Sequence, residues 1–266
     1  MAIAEDRKRN AYRQGVIGLS LAAAVITAWI VAHISFVFFF EVGSLTSWLL
    51  VPFAVALQCW LYVGLFIVAH DCMHGSLFPY KPWINRNVGR FCLFVYAGFS
   101  FDNLQRKHHL HHAHAGTEHD PDYDERPPHS FFIWYLKFFA EYFSGREFFI
   151  IAAQTALYLF VLGAAFENIL LFWALPAALS SMQLFTFGTY LPHRPESAPF
   201  SDKHNARSND LPEWLSLLTC FHFGYHHEHH DRPALPWWQL PKAKREAEPH
   251  AGVIIGSDAQ APSITG

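Results

Sequence analysis

Histidine is the residue whose number and spacing ask for chemistry. The chain has 18 of them, and all but His33 and His250 fall in two stretches, 70–129 and 193–230. His70 and His74 stand four apart, so on a helix they share one face and form a chelating pair. In Lys107-His108-His109-Leu110-His111-His112, helical spacing sets His108 with His111 and His112. Tyr225-His226-His227-Glu228-His229-His230 repeats the pattern with His226, His229 and His230. Imidazole is largely neutral near pH 7 and suits Fe, Cu, Zn or Ni, so these three boxes read as metal ligands. One zinc-type ion takes about four ligands, whereas the boxes hold eight histidines, which implies two metals. Soluble di-iron bundles use Glu-x-x-His pairs instead, and no such pair lies on an apolar run here.

Further donors flank the boxes. His193, in Leu191-Pro192-His193-Arg194, follows an apolar run directly and is read as a ninth ligand. His114 and His222 stand at helical spacing from His111 and His226, and His109 and His227 are sequence neighbours of boxed residues, so these four remain alternates. Metal-bound imidazoles donate their second N–H to a carboxylate or carbonyl; Asp71, Asp120, Asp122 and Glu228 are the candidates. Asp120-Pro121-Asp122 reads equally well as a simple turn. His33, His129 and His250 stand alone and read as packing or surface groups, and His204 stays unassigned.

The elements that position these residues follow from hydropathy. The 266 residues are 52% hydrophobic and only 15% charged, against about 25% charged in a soluble domain. Net charge is −3 with no long basic run, which excludes an electrostatic nucleic-acid footprint. Four separated cysteines form no C-x-x-C pair and read as reduced packing residues. A bilayer core takes about 20 apolar residues to cross. Four runs free of Lys, Arg, Asp and Glu meet that length: 15–40, 48–69, 148–166 and 169–191. All 19 Lys and Arg lie before the first run, between the second and third, or after the fourth. By the positive-inside rule, both termini and both histidine-bearing segments, 70–147 and 192–241, face the cytoplasm.

The predicted fold class is therefore an all-α integral membrane protein. Four transmembrane helices form two hairpins, the second turning at Glu167-Asn168, and carry a cytoplasmic histidine-box domain. Two apolar patches, Phe91 to Phe101 and Phe131 to Phe143, are too short or interrupted to cross; the second has the look of an interfacial helix or of one packed in the cytoplasmic domain. Residues 1–241 form one domain, and 242–266 read as a disordered tail. Phe66, Phe185, Phe187 and Tyr190 lie in the last turns before His70 and His193 and are expected to line an apolar substrate tunnel, or else to pack helix on helix.

His70-Asp71-Cys72-Met73-His74 and the two later boxes resemble the integral-membrane di-iron superfamily of fatty acid desaturases and hydroxylases. The flanks Tyr96-Ala97-Gly98-Phe99, Phe185 to Arg194, His204 to Ser208, Leu217 to Gly224 and Pro236-Trp237-Trp238 resemble the bacterial β-carotene ketolases of the CrtW type, with a departure at Cys72 where Ala would be expected. That resemblance implies two iron ions, O2 as co-substrate and oxidation of the C4 methylene of β-ionone rings to a ketone. β-Carotene would give echinenone and then canthaxanthin, and hydroxylated rings would lead toward astaxanthin. It further implies a carotenoid dissolved in membrane lipid and a location in the bacterial inner membrane. The electron donor would be external, a reduced ferredoxin or similar reductase, because the chain has neither a G-x-G-x-x-G loop nor a cysteine cluster. The competing expectations are a fatty acyl desaturase, a carotenoid ring hydroxylase and, from another class, a His-rich metal transporter. A transporter would place ionisable groups at mid-membrane, where only His33 is available.

Overall fold

Where backbone groups have no water, a chain must satisfy its hydrogen bonds within each segment, and helices do so. The computed structural model describes residues 2–196 and 198–247, and every regular element among them is helical. Helix α1 spans Ala2–Phe39 and α2 spans Leu45–Met73. Helices α3 (Pro82–Ala97), α4 (Phe101–His114) and α5 (Phe131–Tyr142) follow. Helix α6 covers Gly145–Ala156 and continues as a π-helical stretch over Leu157–Val161. Helix α7, Phe166–His193, contains two π stretches, Leu170–Ala174 and Thr186–Tyr190. The short helices α8 (Glu213–Cys220), α9 (His226–Asp231) and α10 (Leu240–Ala247) complete the fold.

Among the described residues, three helices are long and apolar enough to cross a membrane: Ile3–Phe39, Leu45–Met73 and Phe166–His193. The protein is thus a helical membrane protein. The third expected run, 148–166, forms a shorter rod of 12 α-helical residues and a 5-residue π stretch. Its outer side carries exposed Phe148, Phe149, Phe160 and Val161. The second hairpin does not turn at Glu167-Asn168. It turns four residues earlier, around Gly163 at φ 70°, where Ala164 N donates to Tyr158 O at 2.9 Å. Glu167 and Asn168 are instead in the first turn of α7, where an acidic side chain favours the helix dipole. Asn168 Nδ2 donates to Phe40 O at 2.8 Å and Val37 O at 3.3 Å, tying the end of α1 to the start of α7.

Helix α2 is the central element and packs against α1, α3 and α7. Two-thirds of its membrane window is buried, whereas α1 is mostly bare, with Val31, Ile34 and Phe39 turned outward. At about 1.5 Å per residue the 29 residues of α2 extend about 43 Å. A core about 30 Å thick takes roughly 20 of them, so the helix is longer than one crossing needs, and His70 and His74 stand at its C-terminal end. Ser44 starts the helix with a reciprocal capping box to Ser47.

The patch Phe91 to Phe101 is not one element. Gly98, left-handed at φ 69°, ends α3, and Ser100 caps α4, so the patch spans a corner. A Cβ at Gly98 would also come within 2.7 Å of Ile150. The patch Phe131 to Phe143 does form a helix, α5, which buries Trp134 and exposes Phe132, Ile133 and Leu136. The ordered domain runs past 241, because α10 covers Leu240–Ala247 with Leu240 and Ala243 buried. Residues 242–247 are therefore helical rather than part of a tail, and 248–266, including His250, lie outside the described residues. All four cysteines are buried and unpaired in disulfides.

Candidate metal centre

Four helix segments bring the histidines together. His70 comes from the last turn of α2 with His74 capping it, His108, His111 and His112 from α4, His193 from the end of α7, and His226, His229 and His230 from α9. These nine side chains form two adjoining sets: His70, His74, His108, His112 and His229 in one, His111, His193, His226 and His230 in the other. Within each set the ligand atoms lie within 4.8 Å of one another. The rings of His112 and His230 stack at 4.1 Å, so the sets share a wall.

The split follows from helix geometry. Residues i and i+4 lie on one stripe, while i+3 falls to the other side of residue i. His108 and His112 accordingly enter the first set and His111 the second; on α9, His226 and His230 enter the second set and His229 the first.

The nitrogens are arranged for ions rather than for one another. His108 Nε2 lies 2.7 Å from His74 Nε2 and 3.2 Å from His112 Nε2, which is itself 2.9 Å from His229 Nε2. In the second set, His230 Nε2 lies 3.2 Å from His111 Nε2 and 3.1 Å from His226 Nε2. A neutral ring has one N–H and one lone pair, so one Nε2 cannot satisfy two like neighbours. Adjacent donors on an ion at about 2.0–2.1 Å stand about 3 Å apart. His70 Nε2 and His193 Nε2 are buried with no hydrogen-bond partner, as ligand atoms would be without an ion. Burial, and then the neighbouring rings, hold the His108, His112, His226, His229 and His230 imidazoles well below their ordinary pKa and bring His74 down to about 3. The rings are therefore kept in the neutral, metal-binding form. The donor set fits a pair of borderline metal ions.

Second partners fix two of the rings. His111 Nδ1–H donates to both Asp120 oxygens, at 2.9 and 3.0 Å, leaving Nε2 for an ion. Burial alone would lower the His111 pKa, but the Asp120 carboxylate outweighs it and raises it. Asp120 is also bound by the backbone N–H groups of Gly116 and Asp122, each at 2.9 Å. His193 Nδ1–H donates to Asn205 O at 2.7 Å. Asn205, at φ 44°, reaches across with Nδ2 to Ala115 O at 2.8 Å and so ties the end of α4 to the loop after α7. Asn205 was not among the residues singled out from sequence, since a backbone carbonyl leaves no side-chain signature.

An apolar cavity of about 530 Å³ opens onto both sets and is lined by His70, His108, His111 and His226 at one end. Ile169 and Thr189, near opposite ends of α7, both line it, so the cavity runs along most of that helix.

Comparison with known proteins places this architecture. The pattern of the fatty acid desaturase family matches residues 46–159 and 141–254. A β-carotene ketolase of Paracoccus sp. (strain PC1) is 44% identical over 248 residues, covering 90% of this chain and 97% of that protein. Another, from Paracoccus sp. (strain N81106), is 43% identical over 231 residues, covering 86% and 93%. An sn-1 oleoyl-lipid 12-desaturase of Picosynechococcus is 26% identical over 255 residues, covering 76% and 72%.

The chain belongs to the fatty acid desaturase family, in its β-carotene ketolase branch.

Other sequence expectations for this desaturase-family site require correction. Asp71 does not support an imidazole; its Oδ2 accepts from Trp237 N at 3.3 Å. Glu228 accepts from the Ser208 hydroxyl instead. Asp122 Oδ2 stands 3.8 Å from His111 Nδ1, beyond hydrogen-bond reach, and its Oδ1 accepts from the Tyr142 hydroxyl. The four alternates lie outside both sets. His109 Nε2–H donates to Met73 O, His227 pairs with Asp202 at 2.7 Å, His114 is exposed, and His222 stacks on Tyr225. His33 is buried deep in the bundle beside Tyr158, at 3.1 Å, and His129 donates to Asp124 O at 2.8 Å. His204 is half-buried and outside both sets, its ring 6.2 Å from that of His230.

Of the expected lining residues only Phe66 lines the cavity. Phe185 and Tyr190 pack against Phe131 and Trp134 of α5, and Phe187 packs on the core. Phe187 and Tyr190 lie in the π stretch Thr186–Tyr190, whose i→i+5 bonds shift the face those residues present, and Phe185 lies on the turn just before it, on the side of α5. Small residues, Ala177, Ala178, Ser181 and Gly188, face the cavity instead. Their helical spacing was a usable signal. A Cβ at Gly188 would overlap Phe223, whose ring lies 4.8 Å from that of His70.

Proposed function

We propose that the protein is a β-carotene 4-ketolase that oxidises the C4 methylene of β-ionone rings, converting β-carotene to echinenone and canthaxanthin. The observation that carries the reading is the joining of the long apolar cavity to two histidine sets. The ketolase relatives supply the substrate class. C4 is allylic to the polyene, so its C–H bond is weak, and a linear hydrocarbon entering from the bilayer fits a narrow apolar passage.

The residues that would hold the ions are the nine histidines, with His70, His74, His108, His112 and His229 around one and His111, His193, His226 and His230 around the other. Two irons bound there would supply the chemistry of O2 activation, with electrons from an external reduced donor of the ferredoxin type. The chain contributes positioning. Asp120 and Asn205 orient His111 and His193, Phe223 packs against His70 and His226, and the aliphatic and aromatic wall excludes water. The positive-inside partition of Lys and Arg supports a cytoplasmic location for both termini and for the metal centre, in a bacterial inner membrane. The apolar outer sides of α5 and α6 support lipid contact for both, α5 at the interface and α6 as a fourth, short span.

Expression in cells that accumulate β-carotene tests the reading. Echinenone and canthaxanthin are expected in the extracted pigments. Unchanged β-carotene beside an altered acyl-lipid profile, from iron-loaded and membrane-inserted protein, would overturn it in favour of a desaturase.

A further inference from the structure

Asp122 is the only carboxylate in the cavity wall among the described residues. It stands at the metal end, with Oδ2 3.8 Å from His111 Nδ1 and Oδ1 accepting from the Tyr142 hydroxyl; His111 and Tyr142 line the same cavity. Its backbone is clamped on both sides: the N–H donates to Asp120 at 2.9 Å and the carbonyl accepts from Trp134 Nε1 at 2.7 Å. Elsewhere along the wall, the tyrosine and serine hydroxyls and that of Thr155 are already engaged; Thr189, the remaining hydroxyl, is neutral and a weaker acceptor than a carboxylate. Tyr96 pairs with Ser180 at 2.7 Å, Tyr135 with Ser181 at 2.6 Å, and Thr155 donates to Ile151 O at 2.9 Å. Among the described residues, Asp122 Oδ2 has no donor within hydrogen-bond reach. A carboxyl group facing an apolar cavity is costly unless something hydrogen-bonds to it, and a pure hydrocarbon cannot.

The half-oxidised substrate can. Each round of the proposed reaction takes one O2, two electrons from the external reductant and two protons from water, places one oxygen on C4 and releases the other as water. After one round C4 carries a hydroxyl; after two, the geminal diol loses water to give the ketone. We propose that Asp122, held by Tyr142, accepts a hydrogen bond from the C4 hydroxyl of the first-round product and keeps that ring in place for the second oxidation. Without an acceptor, the alcohol leaves the apolar cavity for the wetter headgroup region. With Oδ2 as acceptor it stays, and its remaining C4–H is presented to the histidine sets. Asp122 is thus a positioning residue that sets the ratio of ketone to alcohol. The proposal rests on the ketolase reading.

The test expresses the full-length wild type, Asp122→Leu and Tyr142→Phe in β-carotene-accumulating cells, and measures 4-hydroxy and 4-keto carotenoids along with iron per inserted protein. In Asp122→Leu the alcohol-to-ketone ratio should rise about tenfold or more, as expected for losing one charge-assisted hydrogen bond, with iron retained. Tyr142→Phe should shift the ratio the same way by less. An unchanged ratio, or parallel loss of both products together with iron, overturns the proposal. If Asp122→Leu fails to insert, the ratio in Tyr142→Phe decides by itself. A wild type that makes neither oxygenated product overturns the ketolase reading and the proposal with it, an outcome distinct from an unshifted ratio.

Discussion

Asp120 holds the centre by its hydrogen bonds to His111, and His111 belongs to one set alone. Asp120→Ala should therefore weaken one ion and spare the other. Loss of such a partner typically costs about 10–100-fold in metal affinity, so iron per protein should fall toward half of the wild-type value in a metal titration, with activity falling further. At the same scale, the rings set the acid limit of the metal-free protein. His74, His108, His112, His226, His229 and His230 are held below the ordinary imidazole value, so the unfolded chain binds protons that the folded chain refuses. Stability is then fully present above about pH 6.5 and is lost as pH falls from there toward the folded values. Each such ring contributes up to about 1.4 kcal/mol per pH unit in that window. His111 works in the opposite sense, since its raised pKa gives stability that is present in acid and lost as pH rises through the folded value. One ring against these six leaves acid destabilising. Thermal unfolding of chelated protein in detergent at pH 7.5 and 5.5 should show the lower Tm at pH 5.5.

Helix α7 shows what an element adds beyond its residues. It joins the apolar span to His193, and its last turns, the π stretch included, present Gly188 and Thr189 to the cavity while Phe185 and Tyr190 pack against α5. Gly188 is where the close approach of Phe223 requires no side chain. Gly188→Val should push Phe223 into the His70 and His226 rings, lowering both iron content and conversion, whereas Ala178→Val on the same face should lower conversion and leave iron intact. Elemental analysis beside pigment extraction separates the two. The turn at Gly163 illustrates the limit of reading a hairpin from charge. Glu167 and Asn168 broke the apolar run and so marked the boundary in sequence, but a polar residue fits the first turn of a helix as well as a loop. The positive φ at Gly163 decided the corner.

At the scale of the molecule, the two histidine sets join elements that are remote in sequence. His70 and His229, whose rings lie 4.5 Å apart, come from opposite ends of the chain. Bound metal should therefore act as a cross-link between α2, α4, α7 and α9. Stripping it with a chelator should lower Tm, because a ligand at about 100 times its Kd adds roughly 2.7 kcal/mol. Restoring iron should return the Tm, and an unchanged Tm would mean that the helices hold the centre without it.

The sequence by itself determined the membrane class, two of the spans nearly to their ends, and all nine histidines that converge. Helical periodicity and hydropathy are local properties, and each box carries its pattern within five residues. The division of the nine into sets of five and four was decided by tertiary structure, since spacing says which faces a helix offers and not what stands opposite. The same holds for the carboxylates. Four acidic residues sat near boxes, yet only Asp120 reaches a ring within hydrogen-bond distance, because Asp71 and Glu228 point from their helices toward Trp237 and Ser208 instead. The Asn205 carbonyl, the cavity face of α7 and the pairing of Asp122 with Tyr142 depend on backbone path and on contacts between distant segments, which no local pattern encodes.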